Sequence, residues 1–562
     1  MAYLMIKKSF HLFSDQPTSV STLIVLAFLL TLSPVIIYYE QKKRGLRRNR
    51  TSSSCTAITT TPLPEASGAW PVIGHLLLFM NENDLNHATL GNMADKYGPI
   101  FSLRFGSHRT LVVSSWEMVK ECFTGANDKF FSNRPSSLAV KLMFYDTESY
   151  GFAPYGKYWR ELRKISTHKL LSNQQLDKFK HLRISEVDNS FKKLHDLCSN
   201  NKLGGETTSV ANLVRMDDWF AYLTFNVIGR IVSGFQSNAV SGATSSQEKY
   251  KLAIDEVSNL MATFAVSDVV PCLGWIDRLT GLTGKMKKCG KKLDAVVGDA
   301  VEVHRQKKLK ISRNTAGELT EHEEEDFIDV CLSIMEQSQI PGNNPEISVK
   351  SIALDMLSGG SDTTKLIMTW TLSLLLNHPD ILDKAKEEVD TYFRKKKISD
   401  NTPVVDAADV PNLVYIQAII KESMRLYPAS TLMERMTSDD CEVGGFHVPA
   451  GTRLWVNVWK MQRDPRVWND PLVFRPERFL SNDKGMVDVK GQNYELIPFG
   501  TGRRICPGAS FALEVLHLVL TRLILEFEMK APEGEIDMRA RPGFFNNKVV
   551  PLDVLLTPRT LD

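Results

Sequence analysis

One short segment near the C-terminus combines a cysteine with glycines at fixed intervals. Residues 499–508 read Phe-Gly-Thr-Gly-Arg-Arg-Ile-Cys-Pro-Gly. A cysteine thiolate can serve as an axial ligand of haem iron, where it favours cleavage of a bound O–O bond. Gly502 and Gly508 allow a tight turn that approaches a flat ring and leaves main-chain N–H groups free to point at the sulfur. Cys506 is therefore a candidate iron ligand.

Two other side chains of this loop suit a haem site. Phe499 can shield the sulfur from water, and Arg504 can neutralise a haem propionate. The alternative is a glycine-rich turn around an inert buried cysteine, which is what most single cysteines are. The combined spacing of the Phe, Gly, Arg, Cys and Gly residues favours haem.

A second segment with chemical potential lies inside a long apolar stretch. Residues 347–377 are apolar nearly all round and precede His378-Pro379, which predicts a buried helix about 45 Å long. In its middle, the segment Gly359-Gly-Ser-Asp-Thr-Thr364 should interrupt the helical hydrogen bonds and admit water. Thr363 and Asp362 could then relay protons to oxygen bound at a haem. A kink with a satisfied polar patch is the alternative.

Two charged or aromatic pairs have helical spacing. Glu422 and Arg425 lie three residues apart and can pair on one helix, although such a pair alone is a weak signal. Trp159 and Arg163 share a helix face, and an arginine there can bind a carboxylate. The alternative for Glu422 and Arg425 is a surface ion pair. The alternative for Trp159 and Arg163 is an amphipathic helix with a core tryptophan.

The elements that must position these residues are mostly helical. Helical periodicity dominates, as in residues 326–335, whereas residues 100–114 alternate around a Gly-Ser turn and predict a β-hairpin. The basic and acidic runs of residues 305–325 predict an exposed loop. We expect a mainly α fold with a minor β part (α+β), forming one large body.

Charge and cysteine content exclude some classes of protein. The net charge of +3 is too small to indicate nucleic-acid binding. The 8 cysteines contain no Cys-x-x-Cys pair, which predicts reduced thiols in a reducing compartment.

The N-terminal region predicts a membrane anchor. Residues 20–39 are almost wholly apolar and uncharged, long enough for a helix to cross ~30 Å of hydrocarbon. A cluster of basic residues follows and places the C-terminal body in the cytosol. A cleaved signal peptide is the alternative, but the run is long for one and lacks a clear cleavage site. The predicted organisation is a short lumenal N-terminus (1–19), an anchor (20–39), a basic and Ser/Thr/Pro-rich linker (40–68) and the body (69–562).

The C-terminal loop resembles the haem loop of the cytochrome P450 monooxygenases, Phe-x-x-Gly-x-Arg-x-Cys-x-Gly. The other segments resemble further motifs of that family in the family's order, namely Trp-x-x-x-Arg, Gly-Gly-x-Asp-Thr-Thr, Glu-x-x-Arg and Pro-Glu-Arg-Phe. Longer stretches are most similar to plant A-type members of family eighty-two, whose members oxidise flavonoids, coumarins, alkaloids and terpenoid alcohols. These stretches are Pro64–His75, Phe131–Pro135, Tyr150–Trp159 and Ala450–Trp459.

This resemblance implies a cytochrome P450 fold, with the long central helix over the haem, and a role for each matched residue. Cys506 would be the axial thiolate ligand of haem b, and Asp362 and Thr363 would take part in oxygen activation. Glu422 and Arg425 would form a buried structural triad with Arg478. Residues expected at the haem and its propionates are Phe499, Gly502, Arg504, Gly508, Trp159, Arg163 and Arg435, the last preceded by Glu434 where the family often has proline. Expected substrate contacts are Phe144, Tyr145, Leu432, Phe544 and Phe545.

The same resemblance implies a single-pass enzyme of the endoplasmic reticulum membrane with a cytosolic catalytic domain. It would use O2 and electrons from NADPH, supplied by a separate NADPH-cytochrome P450 reductase, because the chain lacks a dinucleotide-binding Gly-x-Gly-x-x-Gly unit. The product would be a hydroxylated, demethylated or cleaved small plant metabolite. Two alternatives remain open: a haem-thiolate isomerase or dehydratase independent of O2 and reductase, and a non-catalytic haem- or ligand-binding membrane protein.

Overall fold

Helices make up most of the body and surround one long central helix. The computed structural model describes residues 63–79, 85–199, 212–234, 253, 256–313, 326–337, 344–399, 405–480, 487–543 and 545–559. The predicted anchor and most of the predicted linker lie outside these residues. Within the described ranges, no helix has both the length and the apolar character needed to cross a membrane.

Helices occur along the whole length of the described part. In chain order they are α1 (Asn86–Tyr97), α2 (Trp116–Cys122), α3 (Asn127–Phe130), α4 (Leu138–Met143), α5 (Lys157–Lys164), α6 (Asn173–Lys178), α7 (Lys180–Ser199), α8 (Met216–Ser233), α9 (Trp275–Leu279), α10 (Leu282–Arg313), α11 (Phe327–Gln337), α12 (Pro345–Asn377), α13 (Pro379–Ser399), α14 (Val414–Leu426), α15 (Val458–Met461) and α16 (Ala509–Glu526). Residues 256–262 are also helical.

The strands form three small sheets. They are β1 (Ile100–Phe105), β2 (His108–Val113), β3 (Asn212–Arg215), β4 (Leu432–Met436), β5 (Cys441–Val443), β6 (Phe446–Val448), β7 (Arg453–Asn457), β8 (Phe527–Lys530) and β9 (Asp553–Pro558). The sheet orders are β1-β2-β7-β4, β3-β9-β8 and β5-β6. In the largest sheet β2 and β7 are parallel, whereas the β1–β2 and β4–β7 pairs are antiparallel. The predicted hairpin and the mainly helical class are confirmed.

Chain entry into the body begins before Ala69, the predicted boundary. The Ser102 N–H donates to the Pro64 carbonyl at 2.8 Å, and the Ala66 N–H donates to the Ser102 carbonyl at 3.0 Å. Ala66 is buried against β1 and its neighbours. The segment from Pro64 onward is therefore part of the packed structure.

Residues 305–313 differ from the prediction of an exposed loop. They continue α10, which runs to Arg313, and only part of the predicted loop lies beyond it, outside the described residues. Buried His304 shows that α10 still packs against the body at this point. Arg305, Lys307 and Lys308 are only partly exposed along this helix. A run of like charges alone does not distinguish such a helix from a loop.

The predicted central helix is confirmed as α12. It begins where the Asn344 side chain accepts the Glu346 N–H at 2.9 Å, with Pro345 in the first helical position, and it ends before His378. Both features are typical helix boundaries. Most of its apolar residues are buried, and it packs against α8, α10, α11, α14 and α16.

The prediction that residues 359–364 interrupt this helix is wrong. Helical structure is continuous through the segment, and the Thr363 hydroxyl donates to the Gly359 carbonyl at 2.6 Å. Gly360 has a packing role, because a β-carbon there would lie 2.6 Å from Cδ1 of Ile228 on α8. A glycine at 360 thus lets the two helices approach closely.

A buried ionic network fixes α14 to the segment that follows β7. The two Glu422 carboxylate oxygens accept from Nε and Nη2 of Arg425 at 2.7 and 2.8 Å, and one of them accepts from Nε of Arg478 at 3.0 Å. The remaining guanidinium N–H groups reach main-chain carbonyls, including that of Pro471. Glu422 and Arg425 are 0% exposed, so each charge depends on its partners.

Gln462 connects this network to the cysteine loop. Its side-chain amide donates to the carbonyls of Met424 and Arg425 at 3.1 and 3.0 Å, and its oxygen accepts the Ile497 N–H at 3.0 Å. Ile497 in turn accepts from the Gly500 N–H at 2.9 Å. The loop that carries Cys506 is thereby fastened to α14.

We predict that Glu422→Gln lowers the free energy of unfolding by about 3–5 kcal/mol, because two guanidinium groups lose their buried counter-charge. Denaturant unfolding and haem content would measure the effect. Lys384→Met is the matched control: Lys384 pairs with Glu477 at the surface, with a side chain 54% exposed, and its loss should leave the free energy of unfolding nearly unchanged. Equal stability of the two variants would contradict a structural role for the network.

Candidate haem-binding site

The cysteine loop is a tight turn that requires glycine at two positions. The Cys506 N–H donates to the Phe499 carbonyl at 2.9 Å, which closes the turn. Gly500 and Gly502 have φ values of 74° and 71°, the left-handed region that favours glycine. A β-carbon on Gly502 would also lie 2.5 Å from Oδ1 of Asp128.

Gly508 differs from the prediction that it shapes the turn. Its φ of −92° is accessible to any residue, and it precedes the first residue of α16. A β-carbon at this position would meet no atom within 4 Å, so the surface of the loop is open there. The Gly508 N–H lowers the pKa of the Cys506 thiol, the effect expected of a main-chain N–H that points at the sulfur.

The Cys506 thiol lies deep in the body, although part of the residue remains accessible. Burial raises its pKa, and the Gly508 N–H together with Arg163 and Arg134 opposes that rise. Burial favours the neutral, protonated thiol. A metal cation binds the thiolate, so its positive charge would displace the proton from the sulfur. The donor therefore suits a buried metal centre.

A cluster of arginines converges near the loop. It consists of Arg134, Arg163, Arg435 and Arg504. Burial, followed by repulsion from Arg134 and Arg504, holds the pKa of Arg435 well below its usual range. Burial, together with Arg134 and Arg163, lowers the pKa of Arg504 to about 9. Buried cations that repel one another indicate a site for an anionic ligand.

Contacts of the same arginines define how they are held. Nη1 of Arg134 donates to the Gly151 carbonyl at 3.0 Å, and Nη1 of Arg504 donates to the same oxygen at 3.3 Å. The Arg504 guanidinium also stacks 4.7 Å from the ring centre of buried Trp159. Nη1 of Arg163 donates to the hydroxyl of Tyr150 at 3.1 Å. The arginines can bind the two propionates of haem, and the Cys506 thiolate can bind its iron. The residues present therefore fit haem.

The structure thus brings together Trp159, Arg163, Arg435 and Arg504 around the segment that carries Cys506, and their roles at a haem stay predictions. Arg134 is a further member that sequence reasoning missed. It lies in Phe131-Ser-Asn-Arg-Pro135, a stretch that resembles plant members of the family. No helical or strand spacing connects it to Cys506, which is far away in the sequence. Its charge reaches Cys506, Arg435 and Arg504.

Thr363 and Asp362 point to different surroundings on α12. A β-carbon on Gly359, whose carbonyl accepts the Thr363 hydroxyl, would meet no atom within 4 Å. Asp362 lies 3.8 Å from Lys365 and borders a polar cavity of about 330 Å³. Other residues that line this cavity are Ser258, Asn259, Arg541, Phe545 and Asn547.

The predicted substrate contacts are divided among several places. Phe144 is buried, with its ring 5.6 Å from that of Phe152. Tyr145 follows with a φ of 59°, and its hydroxyl donates to Asp294 on α10 at 2.8 Å. Leu432 packs instead in the cluster of β1 and β2. Phe545 borders the polar cavity of Asp362, and Phe544 lies outside the described residues.

Comparison with known proteins identifies the family. The sequence model of cytochrome P450 matches residues 64–552. The chain is a member of the cytochrome P450 family. This cytochrome P450 is 93% identical to (S)-N-methylcanadine 1-hydroxylase CYP82Y1 of Papaver somniferum over 100% of both chains. It is 50% identical to (13S,14R)-13-O-acetyl-1-hydroxy-N-methylcanadine 8-hydroxylase CYP82X1 of the same plant, over 97% of this chain and 98% of that one.

A solved structure supports the fold. A zebra fish cytochrome P450, in a structure with progesterone, is 24% identical and superimposes with a TM-score of 0.68 over 85% of this chain and 100% of its own. The predicted P450 fold, the CYP82 placement and the monooxygenase class are confirmed. Members of this class use haem-thiolate iron and electrons from NADPH delivered by a reductase.

We predict that Arg435→Met separates haem binding from the stability of the apoprotein. Removing one of the repelling buried cations should leave apoprotein stability unchanged or higher, whereas loss of a propionate partner should weaken haem binding about ten- to a hundredfold. Haem transfer to an acceptor apoprotein and denaturant unfolding measure the two effects. Arg109→Met, at an exposed site on β2, is the control. A parallel fall in both quantities would instead indicate a structural role.

Proposed function

We propose that this cytochrome P450 hydroxylates an alkaloid related to N-methylcanadine. The observation that carries the proposal is the 93% identity to an N-methylcanadine 1-hydroxylase along the full length of both chains. The second relative also acts on a compound whose name contains N-methylcanadine, and half of its residues are the same. A substrate of this class contains a basic or quaternary nitrogen.

We further propose that Cys506 binds the haem iron through its thiolate. Arg163, Arg435 and Arg504, with Arg134, would hold the propionates, while Trp159 supports Arg504 and Phe499 excludes water from the sulfur. The haem, when bound, supplies the iron at which O2 is reduced and one oxygen atom is passed to the substrate. The burial of the thiol and the converging arginines support these assignments.

Thr363 and Asp362 would handle the protons that O2 reduction consumes. The Thr363 hydroxyl holds a proton at Oγ1 and is oriented by the Gly359 carbonyl. Asp362 borders a polar cavity and lies close to Lys365, so it can exchange protons with water there. In this proposal Asp362 is the link to water on the cavity side, and Thr363 becomes the donor to oxygen when its hydroxyl turns away from the Gly359 carbonyl.

The enzyme would work at the endoplasmic reticulum membrane. Residues 20–39 would form a single-pass anchor, with the catalytic body in the cytosol, and a microsomal NADPH-cytochrome P450 reductase would be the partner. The uncharged apolar run and the basic residues directly after it support this arrangement.

The test of the proposed function is turnover by the full chain with reductase, NADPH and N-methylcanadine. We expect a product that contains one additional oxygen atom, with mass spectrometry and NMR identifying the carbon oxidised. Cys506→Ser should abolish both this product and the Soret band that the reduced carbon monoxide complex shows with a thiolate ligand. Turnover without NADPH, or a retained thiolate band in the variant, would refute the proposal.

We predict that Thr363→Val uncouples NADPH oxidation from hydroxylation. The variant keeps the shape of the side chain but loses the hydroxyl proton, so hydrogen peroxide should be released in place of product. The control is Thr364→Val, because the buried Thr364 hydroxyl has no hydrogen-bond partner within the described residues. Its ratio of product to NADPH should match the parent enzyme. Unchanged coupling in Thr363→Val would argue against the proton role.

A further inference from the structure

A histidine and two aspartates converge at a place that the proposed chemistry does not use. Within the described ranges, one group of histidine, cysteine or acidic residues has ligand atoms that all lie within 4.8 Å of one another. Its members are His304 on α10, Asp326 before α11 and Asp329 in the first turn of α11. Gly234, which follows α8, lies beside them, because a β-carbon there would be 3.0 Å from Oδ2 of Asp326. The cluster therefore lies where three helices meet.

Two members of the cluster are buried. The side chains of His304 and Asp326 are 8% and 10% exposed, whereas Asp329 is half-buried and gives the cluster a side that solvent can reach. Acidic groups at a protein surface are solvated, but a buried charge is costly unless it is paired or coordinates a metal ion. The charges of this cluster therefore require a specific partner, and the open side allows an ion to enter.

Hydrogen bonding fixes which nitrogen of His304 carries a proton in the neutral ring. Nδ1 lies 2.6 Å from the Ala300 carbonyl oxygen, which can only accept, so Nδ1 is the donor. Nε2 is then an acceptor, yet it lies 2.5 Å from Oδ2 of Asp326, which is also an acceptor. A cation, either a proton or a metal ion, has to lie between them. A histidine that binds a metal commonly donates its other N–H to a main-chain carbonyl, as His304 does.

The second carboxylate favours a metal ion over a shared proton. Oδ1 of Asp326 accepts the Asp329 N–H at 3.1 Å, which orients the Asp326 carboxylate with Oδ2 toward His304. Burial, followed by the charge of Asp326, raises the pKa of Asp329, although His304 and Lys307 act in the opposite direction. A proton shared by His304 and Asp326 neutralises one carboxylate, whereas a divalent cation neutralises both.

A second histidine–carboxylate pair shows how the protein balances such a charge by itself. Nε2 of His195 lies 2.8 Å from Oε2 of Glu526, and the other oxygen of that carboxylate accepts from Nε of Arg522 at 2.6 Å. The third group at this pair is thus a cation, whereas the third group at His304 is another carboxylate. The two pairs have the same chemistry and opposite needs, and the His304 pair is the one that suits a metal ion.

We propose that His304, Asp326 and Asp329 bind a zinc ion through Nε2 of the histidine and one oxygen of each carboxylate. Zinc takes imidazole nitrogen at about 2.0–2.1 Å and carboxylate oxygen at about 2.0–2.2 Å, and sites with three protein ligands complete the tetrahedron with water. Calcium and magnesium ions instead prefer oxygen ligands alone. Rotation of the half-buried Asp329 side chain brings the third ligand to the ion. The bound zinc fastens α10 to α11.

The test titrates the haem-loaded full chain, without a polyhistidine tag, with Zn²⁺ against a competing fluorescent chelator. We expect the parent enzyme to bind Zn²⁺ in a 1:1 ratio. Asp329→Asn removes the charge but keeps an oxygen that can accept the Asp326 N–H. Its affinity for Zn²⁺ should fall at least about a hundredfold, because loss of a partner outside the ligand shell already costs about 10- to 100-fold. His304→Gln should have the same effect.

The matched control is His195→Gln, which removes the histidine of the pair that Arg522 compensates, and its affinity for Zn²⁺ should equal that of the parent. X-ray absorption at the zinc edge should show nitrogen and oxygen neighbours at about 2.0–2.2 Å. Sulfur at about 2.3 Å would place the ion on cysteines and overturn the proposal. Absence of stoichiometric binding in the parent, or unchanged affinity in Asp329→Asn, would overturn it as well, and would leave His304 and Asp326 as a proton-bridged pair.

Thermal unfolding separates loss of zinc binding from loss of folding. Without metal, Asp329→Asn should retain haem and melt at the temperature of the metal-free parent, because the contact of residue 329 with the Asp326 N–H is kept. Zn²⁺ should raise the melting temperature of the parent and of His195→Gln but not that of Asp329→Asn, since a ligand stabilises the fold only by binding the folded state. An equal rise in Asp329→Asn would contradict the proposed site.

Discussion

The buried carboxylate of Glu422 is the interaction on which the arrangement of this enzyme depends. Two guanidinium groups compensate it at 2.7–3.0 Å in a part of the body without solvent, and the same guanidinium groups bind main-chain carbonyls of the following segment. Such a network adds little net stability over apolar packing, but it tolerates no missing member. The network also determines where the cysteine loop lies. Gln462 bonds to α14 on one side and to Ile497, just before the loop, on the other.

At the proposed haem site, in contrast, the buried charges are not fully balanced by partners of opposite sign. There burial, followed by the positive charge of Arg134, lowers the pKa of both Arg435 and Arg504, and nearby carboxylates compensate only part of the charge. The protein thus satisfies its own charges around Glu422, whereas the charges of the arginine cluster are only partly compensated, which supports the proposal that an anionic ligand binds there.

Elements defined by local rules were accessible from the sequence. Apolar residues and a proline stop defined α12, alternation around a Gly-Ser turn defined β1 and β2, and helical spacing paired Glu422 with Arg425. Arg134 and Gln462 were missed because their partners are distant in sequence and follow no periodicity. Gly360 is visible in the sequence as a glycine inside a helix, but its cause is not. That cause is the close approach of Ile228 on α8, a contact between segments far apart in sequence. The roles assigned to the site residues remain predictions.

Gly151 uses both of its main-chain groups for contacts with different parts of the body, the central helix α12 and the arginine cluster. Its N–H binds Asp355, and its carbonyl binds Arg134 and Arg504. A shift of this residue toward either side changes the geometry on the other. A ligand that shifted the arginines would therefore also shift the contact of residues 149–151 with α12, and such linkage is reciprocal: whatever factor one binding event applies to the affinity of another, it receives in return.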